Sequence, residues 1–136
     1  MSNESNPVIH FDIPTDDSER ARAFYESAFG WQTTQLGPEM GDYVLAYTVE
    51  TDEETRMPAK RGAINGGLHA RTEEDKSVKL TILVDDVQEA ARKIEVAGGT
   101  ILGEPVELPG VGLFVSFLDT EGNVGTINQD FTVKSL

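Results

Sequence analysis

The chain has 136 residues, 38% of them apolar, which suits one compact domain spanning residues 1–136, able to bury a core without crosslinks. Cysteine is absent, so disulfides, thiolate metal sites and cysteine nucleophiles are excluded together, and a reducing cytoplasm is the expected setting. Twenty-four acidic against 11 basic residues leave a formal charge of −13, which repels phosphate backbones and anionic lipid alike, so neither nucleic acid nor membrane is expected as a partner.

In chain order, residues 1–6 are polar and expected to fray, and they lack the basic and apolar parts of a signal peptide. Residues 8–13 alternate as a strand, with Ile9, Phe11 and Ile13 on one face and Val8, His10 and Asp12 on the other. Pro14 ends it, and residues 16–18 offer oxygens to cap a helix that runs to about Phe29. Ala21, Phe24, Tyr25 and Ala28 form the stripe expected to pack on the sheet, and Gly30 supplies the left-handed stop. Residues 31–35 and 42–49 read as strands around a Gly-Pro turn, and the charged stretch 51–61 as an exposed loop. Residues 62–69, GAINGGLH, close this first module as a strand, and glycines inside a strand mark a bulge or a place where something approaches the backbone closely. His69 is expected to be exposed.

After a linker at 71–76 the same grammar returns: strand 77–84, helix 87–97 stopped by Gly98 and Gly99, strands 100–106 and 112–118, a turn at 119–123 and strand 124–129. A frame shift of 69 residues sets His10 on Lys79, Ile13 on Ile82, Asp17 on Asp86, Ala21 on Ala90 and Gly30 on Gly99. The chain is therefore a tandem repeat of β-α-β-β-β modules, module one at about 7–70 and module two at about 76–130. No nucleotide-binding glycine loop, serine-hydrolase elbow or paired C-x-x-C is present.

Four stretches, HFDIPTDDSERARAFYESAFGW, AINGGL, VDDVQEAARKIEVAGG and ELPGVGLFVSFLDTEGNVGTI, resemble the vicinal oxygen chelate superfamily of glyoxalase I, extradiol dioxygenases and the bleomycin and fosfomycin resistance proteins. The resemblance covers residues 8 to about 129 and is nearest to the glyoxalase-like branch whose members mostly have no assigned reaction. It implies an α+β fold in which the two modules form an open U-shaped, eight-stranded mixed sheet with helices on the outer face. It also implies a small-molecule cavity between the modules, a divalent metal held by one residue from the first and one from the fourth strand of each module, and a homodimer.

Carried over residue by residue, the metal positions fall on His10, Lys79, Thr126 and the neighbourhood of Gly66, with Asn65 and Gly67 on either side. Only His10 is a ligand type, and an ammonium at Lys79 would repel a cation. The expectation is thus a protein without the usual metal site and with no cofactor, a divalent metal in a departed geometry being the alternative. Alternation sends His10, Asp12, Lys79, Thr81, Thr126 and Asn128 to the cavity floor, with Val78, Leu80, Ile82 and Val84 facing the helices. Asn65 joins the ligand-binding candidates, and Trp31, Tyr43, Tyr47 and Phe114 offer an apolar wall. Lys79 reads either as the partner of a structural ion pair with Asp12 or as an amine that binds an oxyanion or acts as a base. Two functions follow: binding or sequestration of a small organic molecule, which is favoured, and a glyoxalase-like lyase, isomerase or dioxygenase that uses a non-standard metal site or His10 and Lys79 as acid and base.

Overall fold

The computed structural model describes residues 5–55 and 57–131; residues 1–4 of the polar start and Arg56 of the charged loop lie outside them. Module one consists of β1 (Val8–Thr15), α1 (Ser18–Phe29), β2 (Gln32–Gln35), a single 3-10 turn (Pro38–Met40), β3 (Val44–Tyr47) and β4 (Asn65–Ala70). Module two consists of β5 (Lys79–Leu83), α2 (Val87–Val96), β6 (Thr100–Leu108), β7 (Gly112–Leu118) and β8 (Val124–Asp130). Among the described residues these are two helices and eight strands, the α+β class of paired β-α-β-β-β modules that the repeat requires.

Both modules are wired alike. In module one the strand order is β2-β3-β4-β1, with β1 parallel to β4 and the other pairs antiparallel. In module two the order is β5-β8-β7-β6, and again the first and last strands are parallel neighbours. The helices make this possible, because a parallel pair needs a long crossover to bring the chain back to the same end. Asp17 caps α1 by accepting from the Arg20 N–H, and Asp86 caps α2 by accepting from the N–H groups of Gln88 and Glu89. Gly30 takes the left-handed φ of 76° that ends α1.

The two helices are held by different forces. Helix α2 lies on the apolar core of module two, where Val84, Val87, Val115 and Ile127 are buried and Ile82, Ala90, Ile94 and Phe117 pack around them. Helix α1 has no fully buried residue. Phe24 and Ala28, expected in its packing stripe, are exposed, while Ala21 and Tyr25 are half-buried. A polar chain fastens it instead: Arg22 Nε donates to Thr33 Oγ1 at 2.8 Å, and the Thr33 hydroxyl donates to Glu26. Aromatic stacking adds to this, with Tyr25 and Trp31 face to face at 4.6 Å.

Three further expectations fail. Val78 and Leu80 do not reach a helix and are 61% and 50% exposed, because α2 has only ten residues, about 15 Å of rise, and covers β5 only from Ile82 onward. The glycine strand begins at Asn65, three residues later than expected, since Gly62 adopts a φ of 87° in a turn. His69 therefore lies inside β4, and its side chain is 15% exposed rather than solvent-facing. Its Nδ1 contacts the Ala70 carbonyl at 3.0 Å and sits 3.6 Å from Asp75, while Nε2 is buried with no hydrogen-bond partner among the described residues.

Candidate functional site

Strand alternation places His10 and Asp12 on the same face of β1, away from Phe11, which packs toward Trp31 at 5.6 Å. The parallel register sets Asn65 beside His10 and Gly67 beside Asp12 on β4. A side chain at Gly67 would have filled the space above that strand; because there is none, the Tyr43 phenol lies there, and a Cβ at Gly67 would overlap its hydroxyl. Tyr43 directly precedes β3 and is aimed by the preceding turn, in which Gly41 and Asp42 both take positive φ, 69° and 57°. Asp42 is the one non-glycine residue with positive φ among the described residues, and Gln35 Nε2 clamps its carbonyl at 2.6 Å.

These elements bring three side chains of module one together. Tyr43 Oη donates to Asp12 Oδ1 at 2.5 Å, and His10 Nε2 lies 2.8 Å from the same phenol oxygen and 3.5 Å from Asp12 Oδ1. His10 is 31% exposed and Asp12 17%, so the cluster opens at the histidine and closes at the carboxylate. Burial first, then the charge and hydrogen bond of Asp12, hold the Tyr43 phenol far above its ordinary range, so it stays neutral and donating.

The other expected residues divide. Asn65 shares the His10 face but is spent on structure: its Oδ1 accepts from the Thr48 N–H at 2.8 Å and its Nδ2 donates to Thr51 at 2.8 Å. Trp31, expected on the ligand wall, directly precedes β2, stacks on Tyr25 and lies tilted against Phe11. Tyr47 ends β3, half-buried and paired with Gln32. In module two, Thr81, Thr126 and Ser116 form one cross-strand polar row, and Asn128 and Phe114 pair beside it. Thr81 and Asn128 are buried, and Asn128 Nδ2 donates to the Leu113 carbonyl at 3.2 Å. Lys79 opens β5, half-buried, on the face of Thr81. A cavity of about 310 Å³ lies elsewhere in the module-two unit, against the start of α2, lined among others by Asn6, Pro7, Val84, Asp86, Glu89 and Lys93; it contains none of the expected site residues.

These side chains do not make the superfamily's metal-ligand set. His10 Nε2 is engaged by Tyr43, the spaces beside Gly66 and Gly67 are filled by Phe11 and Tyr43, Asn65 is saturated by Thr48 and Thr51, and Thr126 offers a neutral hydroxyl. Among the described residues no three His, Cys, Asp or Glu side chains converge as a metal site would require.

The comparisons agree with the fold and the first module. Residues 8–48 match the bleomycin resistance protein-like N-terminal family. A glyoxylase-like domain-containing protein of Didymella fabae is 31% identical over 125 residues, covering 88% of this chain and 91% of that one. A probable chloroplastic lactoylglutathione lyase of Arabidopsis thaliana is 33% identical over 133 residues, 92% of this chain but only 37% of the plant protein, so the chain spans well under half of that relative. Among solved structures, the methylmalonyl-CoA epimerase of Streptomyces coelicolor superposes with a TM-score of 0.67 at 19% identity, covering 98% of this chain and all of the epimerase, a likeness of fold. The chain belongs to the glyoxalase, bleomycin resistance and dioxygenase superfamily, as a glyoxalase-like member. Among the described residues no helix is long and apolar enough to cross a membrane.

Proposed function

We propose that this protein binds a small organic molecule at the open face of β1, with His10, Asp12 and Tyr43 as the polar contacts and without the divalent metal of its superfamily. The observation that carries the reading is the hydrogen-bonded cluster itself: two side chains of β1 and the tyrosine just before β3 converge on one point, and the histidine is more open to solvent than the carboxylate. The formal charge of −13 favours a neutral or cationic ligand over the phosphate-bearing thioester of the epimerase.

A second reading is catalytic, and the same cluster favours it. An imidazole backed by a carboxylate through a phenol is a proton acceptor, which an isomerase or lyase of the glyoxalase type needs. The likeness to a lactoylglutathione lyase supports this reading at the level of family only. Self-pairing of the chain belongs to the proposal as well, since β6, nine residues long and the edge strand of its module, exposes Leu102, Val106 and Leu108. Light scattering that gives a monomer mass at micromolar concentrations would refute the pairing.

The binding test is a fragment screen by amide NMR on the full chain in EDTA, using small carbonyl compounds, amides and amino-heteroaromatics. Hits should perturb residues around His10, Asp12 and Tyr43 and vanish in His10→Ala. Hits confined to the α2 cavity, or none at all, would sink the proposal.

A further inference from the structure

The proton order within the cluster is fixed by counting protons. Asp12 as a carboxylate only accepts, so the proton in its 2.5 Å contact with Tyr43 belongs to the phenol. Having one proton and having given it to Asp12, the phenol oxygen can only accept from His10, and the 2.8 Å contact then requires the hydrogen to sit on His10 Nε2. Asp12, Tyr43 and His10 therefore form a one-way relay in which each donor points at the carboxylate. A neutral imidazole with its hydrogen on Nε2 carries its lone pair on Nδ1. Among the described residues Nδ1 has no hydrogen-bond partner, and the side chain is 31% exposed.

We infer that His10 is locked as the Nε2–H tautomer by Tyr43 and Asp12, so that Nδ1 is the atom that meets the ligand, and that the ligand class is a hydrogen-bond donor: a hydroxyl, amide or amino group. The assignment of a ligand class rests on the small-molecule reading above, whereas the tautomer does not. Tyr43 is a positioning residue here, touching the histidine and not the ligand. Coordination of a metal through Nε2 would displace the hydrogen that Tyr43 accepts. A ligand hydrogen bond to Nδ1 draws electron density from the ring, and the Nε2–H, more strongly polarised, then binds Tyr43 more tightly, so ligand and relay reinforce each other.

The experiment is nitrogen NMR of the imidazoles in the full, ligand-free chain, at a pH where histidine is neutral and below the tyrosine range. The chain has two histidines, so His10→Asn assigns the signals. Wild type should show a protonated Nε2 and a bare Nδ1 for His10. Because free imidazole side chains already lean to this tautomer, Tyr43→Phe and Asp12→Asn are the controls: each should admit a second population with the hydrogen on Nδ1. An Asn side chain can donate to the phenol and so reverse the order of the relay. Wild-type His10 protonated on Nδ1, or a tautomer unchanged in both variants, would overturn the lock. For the ligand class, phenol and aniline should shift the Nδ1 signal on titration while anisole and N,N-dimethylaniline do not; equal shifts within each pair would overturn the class. A locked tautomer with no shift from any probe would count against the binding reading and leave the lock standing, so the two failures are distinguishable.

Discussion

Removing one oxygen, Tyr43→Phe, tests the cluster most economically. The hydroxyl donates to a carboxylate at 2.5 Å and accepts from His10 at 2.8 Å, and the carboxylate it serves is only 17% exposed. A hydrogen bond to a charged group contributes about 1.5–3 kcal/mol and a neutral one about 0.5–1.5, and the loss is compounded when a partly buried charge loses its donor. Part of this is recovered if His10 Nε2 closes its 3.5 Å gap to Asp12. The net expectation is a destabilisation of about 2–3 kcal/mol, or roughly 6–12 °C in Tm for a domain of this size. Urea unfolding followed by far-UV circular dichroism measures it directly, as a lower midpoint with an unchanged slope, since the surface exposed on unfolding is the same. A loss below about 0.5 kcal/mol would refute the reasoning, because an exposed or water-replaced hydroxyl costs no more than that.

Three other outcomes follow from the same geometry. Folded Tyr43 resists ionisation while the unfolded chain's tyrosine does not, so its contribution is fully present below about pH 10 and falls above it by roughly 1.4 kcal/mol per pH unit; Tyr43→Phe should flatten that alkaline slope, and an identical slope in both proteins would contradict the assignment. Gly67→Ala deletes nothing, yet its methyl would occupy the position of the Tyr43 hydroxyl, so it should lose about as much stability as Tyr43→Phe or more and abolish fragment shifts at His10; a variant as stable as wild type would mean that Tyr43 does not lie over Gly67. Trp31→Phe should lower stability by about 1–2 kcal/mol through the lost stack on Tyr25 while leaving fragment binding at His10 intact; loss of binding with stability retained would return Trp31 to the ligand wall.

The repeat made the architecture legible before any coordinates. One strand-helix grammar written twice, with Asp17 and Asp86 at matching caps, specifies two equivalent modules, because each module alone must solve the same parallel-pairing problem. That His10 and Asp12 share a face is equally legible, since residues two apart on a strand point the same way. Tyr43 was grouped with the apolar wall and its role was missed, because it lies more than thirty positions from both partners and just outside a strand, aimed by two left-handed residues that alternation cannot describe. The signal was present in AINGGL: a glycine where a strand needs no glycine announces a close approach, and the approaching group is the Tyr43 ring. Leu80 shows the converse: strand period alone turns it toward the helix side, whereas the short reach of α2 leaves it exposed.

The central claim is that this glyoxalase-like chain presents His10 for ligand binding by Nδ1, with Nε2 committed to Tyr43 and no resident metal at the superfamily position. Elemental analysis of the full chain, purified without a histidine tag or chelator, tests it most directly. The account predicts zinc, nickel, manganese and iron all far below one ion per chain, and no stoichiometric uptake when each is added at micromolar concentration. Any of these metals bound one to one and removed by His10→Ala would contradict it.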